Sequence, residues 1–404
     1  MLISLAWKNV WRNKKRSLII VLSIAFGLWG GLIAGAVMMG WGESMVNTAI
    51  DRDLAHIQIH KKGFLRDKEI THYIPDGLQV VEGAKKIAGV KAVSGRTIIE
   101  AMASSPTSNF GVKIVGIDPE DAQNVTNIHQ KIVEGNYFKE EKLNPVVIGQ
   151  KLASRLGLRL HSKIILGFQG LDGSLTYAAC RIVGIYKTES SYFDESNVFI
   201  RQSDLFRLLN CQPIIHEIAI RAQSARIMPQ VYEAVKGQWP DLSVKIWKDL
   251  APEVAFTASA MEGFTYFFLA IILFALLFGI TNTMLMSVVE RFRELGILLA
   301  VGMKRSKIFI MILMETIFLS ITGGIAGIII GILSIAYFSY TGIDLSAFAS
   351  SLATFGASTM LYPFLPLEMY IVLPVMIVVT ASFSAALPAW KAIHIEPAAA
   401  IRIY

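Results

Sequence analysis

Long hydrophobic runs with almost no charged residues alternate with short charged segments along this chain. A membrane-spanning helix needs about 20 consecutive apolar residues, and four of the runs are long enough. They lie at residues 18–41, 263–289, 308–340 and 368–390. The pattern predicts an α-helical membrane protein with four transmembrane helices.

The segment at residues 45–260, between the first two spans, has a different pattern. Short apolar stretches, several of them alternating with polar residues, predict β-strands at residues 56–60, 111–119, 162–168, 175–186, 197–200, 216–222 and 243–247. Helical patterns fall between them at residues 77–88, 202–209 and 228–239, and residues 146–158 predict a short strand followed by a helix. A turn at Leu171–Ser174 joins two strands into a hairpin. This interleaving predicts a large α+β domain, and Pro252 begins a helix that continues into the second span.

The distribution of charge predicts the orientation of the spans. The chain is 53% hydrophobic and 17% charged, with a net charge of +7. Basic residues concentrate in segments 1–17 and 290–307, whereas segment 341–367 has no Lys or Arg. Because cytoplasmic loops carry the excess of Lys and Arg, both termini are expected in the cytoplasm, residues 1–17 as an amphipathic helix at the membrane surface and residues 391–404 as a tail. The domain at 45–260 and the short loop at 341–367 then lie outside, in a cell inner (cytoplasmic) membrane protein.

The same charge pattern excludes other classes of protein. The basic clusters lie next to spans, so they favour membrane lipids as partners over nucleic acid. The first span exceeds the 7–15 residues of a signal-peptide core, so it is expected to remain as a membrane anchor. The sequence contains no P-loop, no HExxH, no CxxC and no GxSxG motif. It therefore predicts a non-catalytic chain with no metal site and no cofactor of its own. Cys180 and Cys211 either form a disulfide in the outer domain or remain two free thiols.

The loop after the second span carries the most informative motif. It reads ERFRELGILLAVG at residues 290–302 and predicts a short amphipathic helix. The charged positions form one face and the leucines the other. The candidate functional residues of this segment are Glu290, Arg291, Arg293, Glu294, Leu295, Gly296, Leu298, Leu299 and Gly302.

This loop and three further segments together resemble a known family. These segments are LAWKNVWRNKKRSLIIVLSIAFG at 5–27, VKIVGIDPED at 112–121 and PAWKAIHIEPAAAIR at 388–402. They resemble the four-span FtsX/MacB-like ABC transporter permeases, and the VGIDPED stretch at 115–121 and the chain length are most similar to the lipoprotein-releasing (LolC/LolE-type) members. The resemblance implies a MacB-like periplasmic core domain between the first and second spans. It also implies that segment 290–307 is a coupling helix and loop that bind a separate ABC ATPase.

What such a protein would do follows from the resemblance. It implies a permease subunit that couples ATP hydrolysis on the partner ATPase, which holds ATP and Mg, to movement of the outer domain. The expected task is lipoprotein release from the inner membrane. Two alternatives stay open: export of apolar small molecules or peptides with a periplasmic adaptor, and an ATPase-gated scaffold that activates an extracytoplasmic enzyme. A second permease subunit is implied, in a homodimer or a heterodimer, and a periplasmic carrier or adaptor is a further partner.

Three groups of residues in the spans are further candidates. Small residues four apart allow helices to approach closely, within one subunit or between subunits; they are Gly27, Gly31, Gly35, Gly323, Gly327 and Gly331. Soft apolar side chains near the outer surface suit either acyl-chain or substrate contact or an interfacial belt; they are Met38, Met39, Trp41, Met261, Phe264, Phe267 and Phe268. Glu315 lies inside the third span, where it either pairs structurally or takes part in the mechanism.

Overall fold

The computed structural model describes Trp7, Arg12, residues 14–139 and residues 143–394, without the side chains of Arg16 and Phe355. The helix expected at residues 1–17 and the tail at 391–404 lie largely outside these described residues. The chain divides into two compact units. The membrane unit contains residues up to 43, residues 258–344 and residues from 360 onward, and the sheet domain contains residues 44–257 and 345–359.

Four helices of the described chain are long and apolar enough to cross a membrane. We label them TM1 to TM4; they span Lys14–Ala49, Pro252–Glu290, Arg305–Thr341 and Met369–Ile393. TM1 and TM2 extend well beyond the uncharged runs that predicted them. TM2 begins at Pro252, as the sequence predicts, because proline is well suited to the first turn of a helix.

Glycines fix how closely the membrane helices approach one another. A Cβ atom on Gly27 would lie 2.7 Å from a methyl carbon of Leu276, so TM1 packs tightly on TM2. A Cβ atom on Gly323 would lie 2.8 Å from the carbonyl oxygen of Val21, so TM3 packs tightly on the same helix. TM4 lies along TM3 and accepts a hydrogen bond from Thr281 of TM2 at the carbonyl oxygen of Ser384. Both glycine stripes thus pack helices within one subunit.

An added methyl group should therefore have different effects on stability at two nearby glycines of TM3. In Gly327→Ala the new Cβ atom would lie 2.8 Å from the carbonyl oxygen of Ala25, whereas nothing lies within 4 Å of the new atom in Gly324→Ala. We expect Gly327→Ala to destabilise the membrane unit by about 1–3 kcal/mol because the helices must move apart. Gly324→Ala serves as the control and should be neutral or stabilising. Unfolding midpoints in detergent measure both, and equal midpoints would contradict this packing.

The described part of the sheet domain contains ten paired strands. They span Ile57–His60 (β1), Val90–Ser104 (β2), Asn109–Ile117 (β3), Ile132–Gly135 (β4), Pro145–Gly149 (β5), Lys163–Gln169 (β6), Leu175–Tyr186 (β7), Asn197–Arg201 (β8), Glu217–Ala222 (β9) and Ser243–Ile246 (β10). The strand order is β10-β1-β9-β2-β3-β8-β5-β7-β4, and β6 pairs with both β2 and β7. Most pairs are antiparallel, but β3–β8 and β5–β7 are parallel. The expected α+β fold and the β6–β7 hairpin are confirmed.

Short helices connect these strands and complete the apolar cores. They span Phe64–Asp67, Gly77–Lys85, Pro119–Val125, Gln150–Leu156, Ser191–Ser196, Gln202–Leu209, Met228–Gln238 and Trp247–Leu250. Cys180 is buried and Cys211 is half-buried, and both are free thiols. Burial raises the pKa of the Cys180 thiol to about 12, so it is unreactive at neutral pH.

The chain between TM3 and TM4 is also ordered. The strands Ile343–Asp344 and Met360–Leu361 pair at its base. Between them, the helix Ala349–Phe355 belongs to the sheet domain and contacts the helix Ser191–Ser196. The loop predicted at 341–367 therefore contributes a folded element to the sheet domain.

Ion pairs fix the segment through which TM1 leads into the sheet. A π-helix, Ile50–Leu54, follows TM1 directly. Asp51 pairs with Arg221 of β9 at 2.6 Å, and Arg96 of β2 donates to the carbonyl oxygen of Asp53 at 2.7 Å. Arg96 also pairs with Glu217 at 2.5 Å. Burial alone would raise the pKa of Glu217, but Arg96, His60 and Lys113 together outweigh burial and lower it, so Glu217 is ionised beside Arg96.

Candidate functional site

The predicted amphipathic helix exists between TM2 and TM3 and has a non-helical joint at each end. We call it the loop helix; it spans Phe292–Ala300. TM2 ends at Glu290, and Arg291 between the two helices has φ −103° and ψ 13°. At the other end, Lys304 is extended before TM3 begins at Arg305. Backbone geometry alone therefore leaves the loop helix hinged at both ends.

Gly302 ends the loop helix by a specific hydrogen-bond pattern. Its φ is +94°, which glycine adopts without strain. The N–H of Gly302 donates to the carbonyl oxygen of Leu299, and the N–H of Met303 donates to that of Leu298, both at 3.0 Å. These two bonds form a Schellman motif. The predicted site residue Gly302 thus has a local role, which is to stop the helix and turn the chain towards TM3.

The leucine face of the loop helix packs against the membrane helices of the same chain. Leu295 and Gly296 are buried, and Leu298 and Leu299 are half-buried. Their apolar neighbours belong to the core formed by TM1 to TM4. The face that the sequence predicts as apolar therefore fixes the loop helix to its own membrane unit.

A second set of side chains points away from the bundle. Arg293, Ile297 and Val301 follow one another at four-residue spacing, and we call them the outward stripe. Ile297 is 45% exposed and Val301 is 83% exposed. Arg293 is exposed as well, and Glu290 and Glu294 are exposed beside the stripe. Sequence reasoning did not single out Ile297 and Val301, because an apolar residue on a mostly apolar helix gives no signal of which face it occupies.

Four charged side chains form a chain of alternating sign across this site. Arg12 donates to both carboxylate oxygens of Glu294, at 2.6 and 2.5 Å. The Nε of Arg291 lies 3.5 Å from Glu294, and its Nη1 donates to both oxygens of Glu315 at 3.0 and 3.2 Å. The hydrogen bond from Arg12 holds the pKa of Glu294 below its usual range, so Glu294 stays ionised. This chain connects the N-terminal segment, the loop helix and TM3.

Arg291 therefore differs from its expected position. The sequence placed it with Glu290, Arg293 and Glu294 on one polar face, but its side chain is only 13% exposed and turns inward to TM3. The reason is Glu315, whose side chain is 2% exposed and needs a positive partner. Trp7 of the N-terminal segment also reaches TM3, where its ring lies edge-on to Phe318 with centroids 5.5 Å apart.

The candidate contact residues for an apolar substrate come from two adjacent helices, TM1 and TM2. A Cβ atom on Gly42 would lie 3.4 Å from Met261, so the two helices touch here. Phe264, Phe267 and Phe268 of TM2 are exposed. The remaining candidates are half-buried; they are Met38, Met39, Trp41 and Met261. Within the described residues, no group of three or more His, Cys, Asp or Glu side chains is arranged to hold a metal ion.

Comparisons with known proteins identify the class to which this arrangement belongs. The MacB-like periplasmic core domain matches residues 17–238, which is more than half of the chain. The FtsX-like permease C-terminal family matches residues 266–397 and so includes the loop helix. The chain belongs to the ABC transporter permeases of this MacB and FtsX type. It is a multi-pass membrane protein with a MacB-like extracytoplasmic domain between TM1 and TM2.

Individual relatives are distant. An uncharacterized ABC transporter permease of Methanocaldococcus jannaschii is 25% identical over 82% of this chain and 83% of its own length. The macrolide export ATP-binding/permease protein MacB of Escherichia coli is 23% identical over 82% of this chain, which spans about half (52%) of that protein. The crystal structure of the periplasmic region of MacB from Actinobacillus actinomycetemcomitans is 14% identical, with a TM-score of 0.35, over 51% of this chain and 94% of that one.

Proposed function

We propose that the chain is the non-catalytic membrane subunit of a mechanotransmitting ABC transporter in the inner (cytoplasmic) membrane. Both termini and the loop helix lie in the cytoplasm, and the sheet domain lies outside. A separate ABC ATPase binds ATP and Mg and docks on the loop helix. ATP binding shifts the loop helix and moves the sheet domain, and hydrolysis completes the cycle, so that work is done outside the membrane.

The observation that carries this proposal is the two-sided build of the loop helix. One face packs on the membrane core, and the opposite side presents Arg293, Ile297 and Val301 to solvent. Exposed apolar side chains grouped beside charged ones form a mixed surface of the kind that a protein partner can cover. Hinges at both ends let a bound partner tilt the helix, and the packed leucines transmit that tilt to the bundle.

Continuous helices provide the path from the loop helix outward. TM2 is one uninterrupted helix from Glu290 back to Pro252, well past the end of its uncharged run. TM1 leads into the π-helix whose Asp51 and Asp53 are bound to sheet strands by Arg221 and Arg96. Helices and ion-paired joints of this kind are stiff enough to transmit displacement, which supports mechanical coupling.

The proposed task is release of lipid-anchored proteins from the outer leaflet. The exposed phenylalanines of TM2, next to the methionines of TM1 and TM2, suit acyl chains because such side chains adapt to varied apolar shapes. The same surface suits export of an apolar small molecule, and the MacB relative is named for macrolide export. A second permease subunit completes the transporter, with a periplasmic carrier or adaptor to receive the cargo.

Reconstitution tests the function and the task together. The chain would be co-expressed with the ABC ATPase encoded nearest to it, purified through a tag, and placed in proteoliposomes. We expect co-purification of the ATPase and MgATP-dependent release of a fluorescent triacylated lipopeptide. Transport of a macrolide instead of lipopeptide release would overturn the lipoprotein task but keep the permease function. ATP hydrolysis that moves neither the lipopeptide nor the macrolide, but activates an extracytoplasmic hydrolase, would favour the alternative function as an ATPase-gated scaffold.

A further inference from the structure

We infer that Glu315 is a positioning residue that holds the hinge of the loop helix, through Arg291, against TM3. The inference rests on the proposed function for its meaning in coupling. The orientation of the loop helix that it predicts can be measured on the permease alone.

The first argument is the place of the contact. Arg291 is the one residue between the end of TM2 at Glu290 and the start of the loop helix at Phe292. A side-chain tie at this residue therefore acts on the hinge itself, and not on a position farther along either helix. Glu315 lies ten residues into TM3, about 15 Å along a helix that rises 1.5 Å per residue.

The second argument is the geometry and burial of the pair. Nη1 of Arg291 donates to both oxygens of Glu315, at 3.0 and 3.2 Å, which restrains the position of the guanidinium more than a single bond would. The side chains are 13% and 2% exposed, so water cannot easily replace either partner. By contrast, the Arg12–Glu294 pair is about half exposed on both sides and gives a much weaker restraint.

The third argument concerns which membrane helices a tilt of the loop helix would displace. Without this tie, a push on the loop helix would reach TM2 and TM3 only through the backbone joints at its two ends and through apolar contacts. With it, TM2 and TM3 move together at the hinge. TM3 also packs on TM1 through Gly323 and Gly327, whose Cβ positions would lie 2.8 Å from TM1 carbonyl oxygens. The pair therefore engages all three helices in one displacement.

Distance measurements on the permease alone test the positioning role. Spin labels would be placed at Val301→Cys, directly after the loop helix, and at Leu387→Cys on TM4, in a chain whose Cys180 and Cys211 are replaced by alanine. We expect a narrow distance distribution, and at least a twofold broadening in Glu315→Gln. Arg12→Gln, which breaks only the exposed pair with Glu294, is the control and should stay narrow.

A double variant separates positioning from stability. Either single change, Glu315→Gln or Arg291→Gln, removes one charge of a buried ion pair and should lower the unfolding midpoint. The double variant removes both charges, so its midpoint should recover while its distance distribution stays broad. A distribution in folded Glu315→Gln as narrow as in the wild type, or a narrow one in the double variant, would overturn the inference.

The complex with the ATPase tests what the tie does in coupling. The double variant leaves the outward stripe unchanged, so the ATPase should bind within twofold of the wild-type Kd. Release of the triacylated lipopeptide per ATP hydrolysed should fall at least tenfold. Full release per ATP with a broad distribution would overturn the coupling role. Failure of the ATPase to bind even the wild type would refute the proposed function, while the distance data would still decide the positioning role.

Discussion

Aspartate at both Ile297 and Val301 is expected to abolish binding of the ABC ATPase while leaving the membrane unit folded. These side chains are 45% and 83% exposed, so a charge costs little in the free permease. In a complex, each carboxylate would be buried against the partner without a counter-charge. Central interface positions of this kind cost about 2 kcal/mol or more each, which together weaken Kd by about a thousandfold. Pull-down yield and titration with purified ATPase measure the effect.

The control places one negative charge close to the loop helix but outside the stripe. Ser306 is exposed at the start of TM3, and Ser306→Asp should bind ATPase within a few-fold of wild type. Leu298→Asp is a poor probe, because Leu298 packs on the membrane core and its loss would unfold the site. Wild-type ATPase binding by Ile297→Asp/Val301→Asp would show that the loop helix is not the docking site.

Three glycines inserted after Ala258 are expected to uncouple ATP hydrolysis from work outside the membrane. Ala258 lies inside TM2, close to the N-terminal end of this helix at Pro252. Each glycine costs about 1 kcal/mol of helix stability relative to alanine, so three of them make a flexible joint. The loop helix is untouched, so the ATPase should still bind and hydrolyse ATP. Release of the lipopeptide probe should fall at least tenfold.

A matched insertion of alanines distinguishes the effect of helix stiffness from the effect of added chain length. Three alanines after Ala258 add the same number of residues and the same rotation but keep the helix. We expect this variant to retain more release than the glycine variant. Equal release by both insertions and the wild type would refute transmission through TM2 and favour a substrate route between the spans.

Sequence pattern predicted the elements whose burial follows local periodicity. The strand expected at 175–186 matches β7, Leu175–Tyr186, and the helix expected at 202–209 matches Gln202–Leu209. The longest strand, β2, escaped detection because its middle carries Arg96 and Thr97, which are polar yet buried. Arg96 is buried because Glu217 neutralises it, and Thr97 because it donates to the carbonyl oxygen of Ile214 at 2.6 Å. Such partners are distant in sequence and leave no local signal.

The candidate site shows the same limit. A charged amphipathic helix at 290–302 and its end at Gly302 could be predicted, because a helix period and a glycine stop are local properties. The sequence could not predict which charged side chain points inward, because Arg291 turns towards Glu315, which lies in another helix. One sequence pattern could have suggested the pair: an acidic residue inside one span, together with an arginine at the end of another span.

The change in distance between the sheet domain and TM3 on ATP binding tests the central claim most directly. Spin labels at Tyr192→Cys in the sheet domain and Tyr340→Cys on TM3, both sites highly exposed, would be measured in the complex with the ATPase, without nucleotide and with a non-hydrolysable ATP analogue. We predict a nucleotide-dependent shift in the wild type and none in the chain with three glycines after Ala258. No shift in the wild type, or the same shift in both chains, would contradict mechanical coupling through TM2.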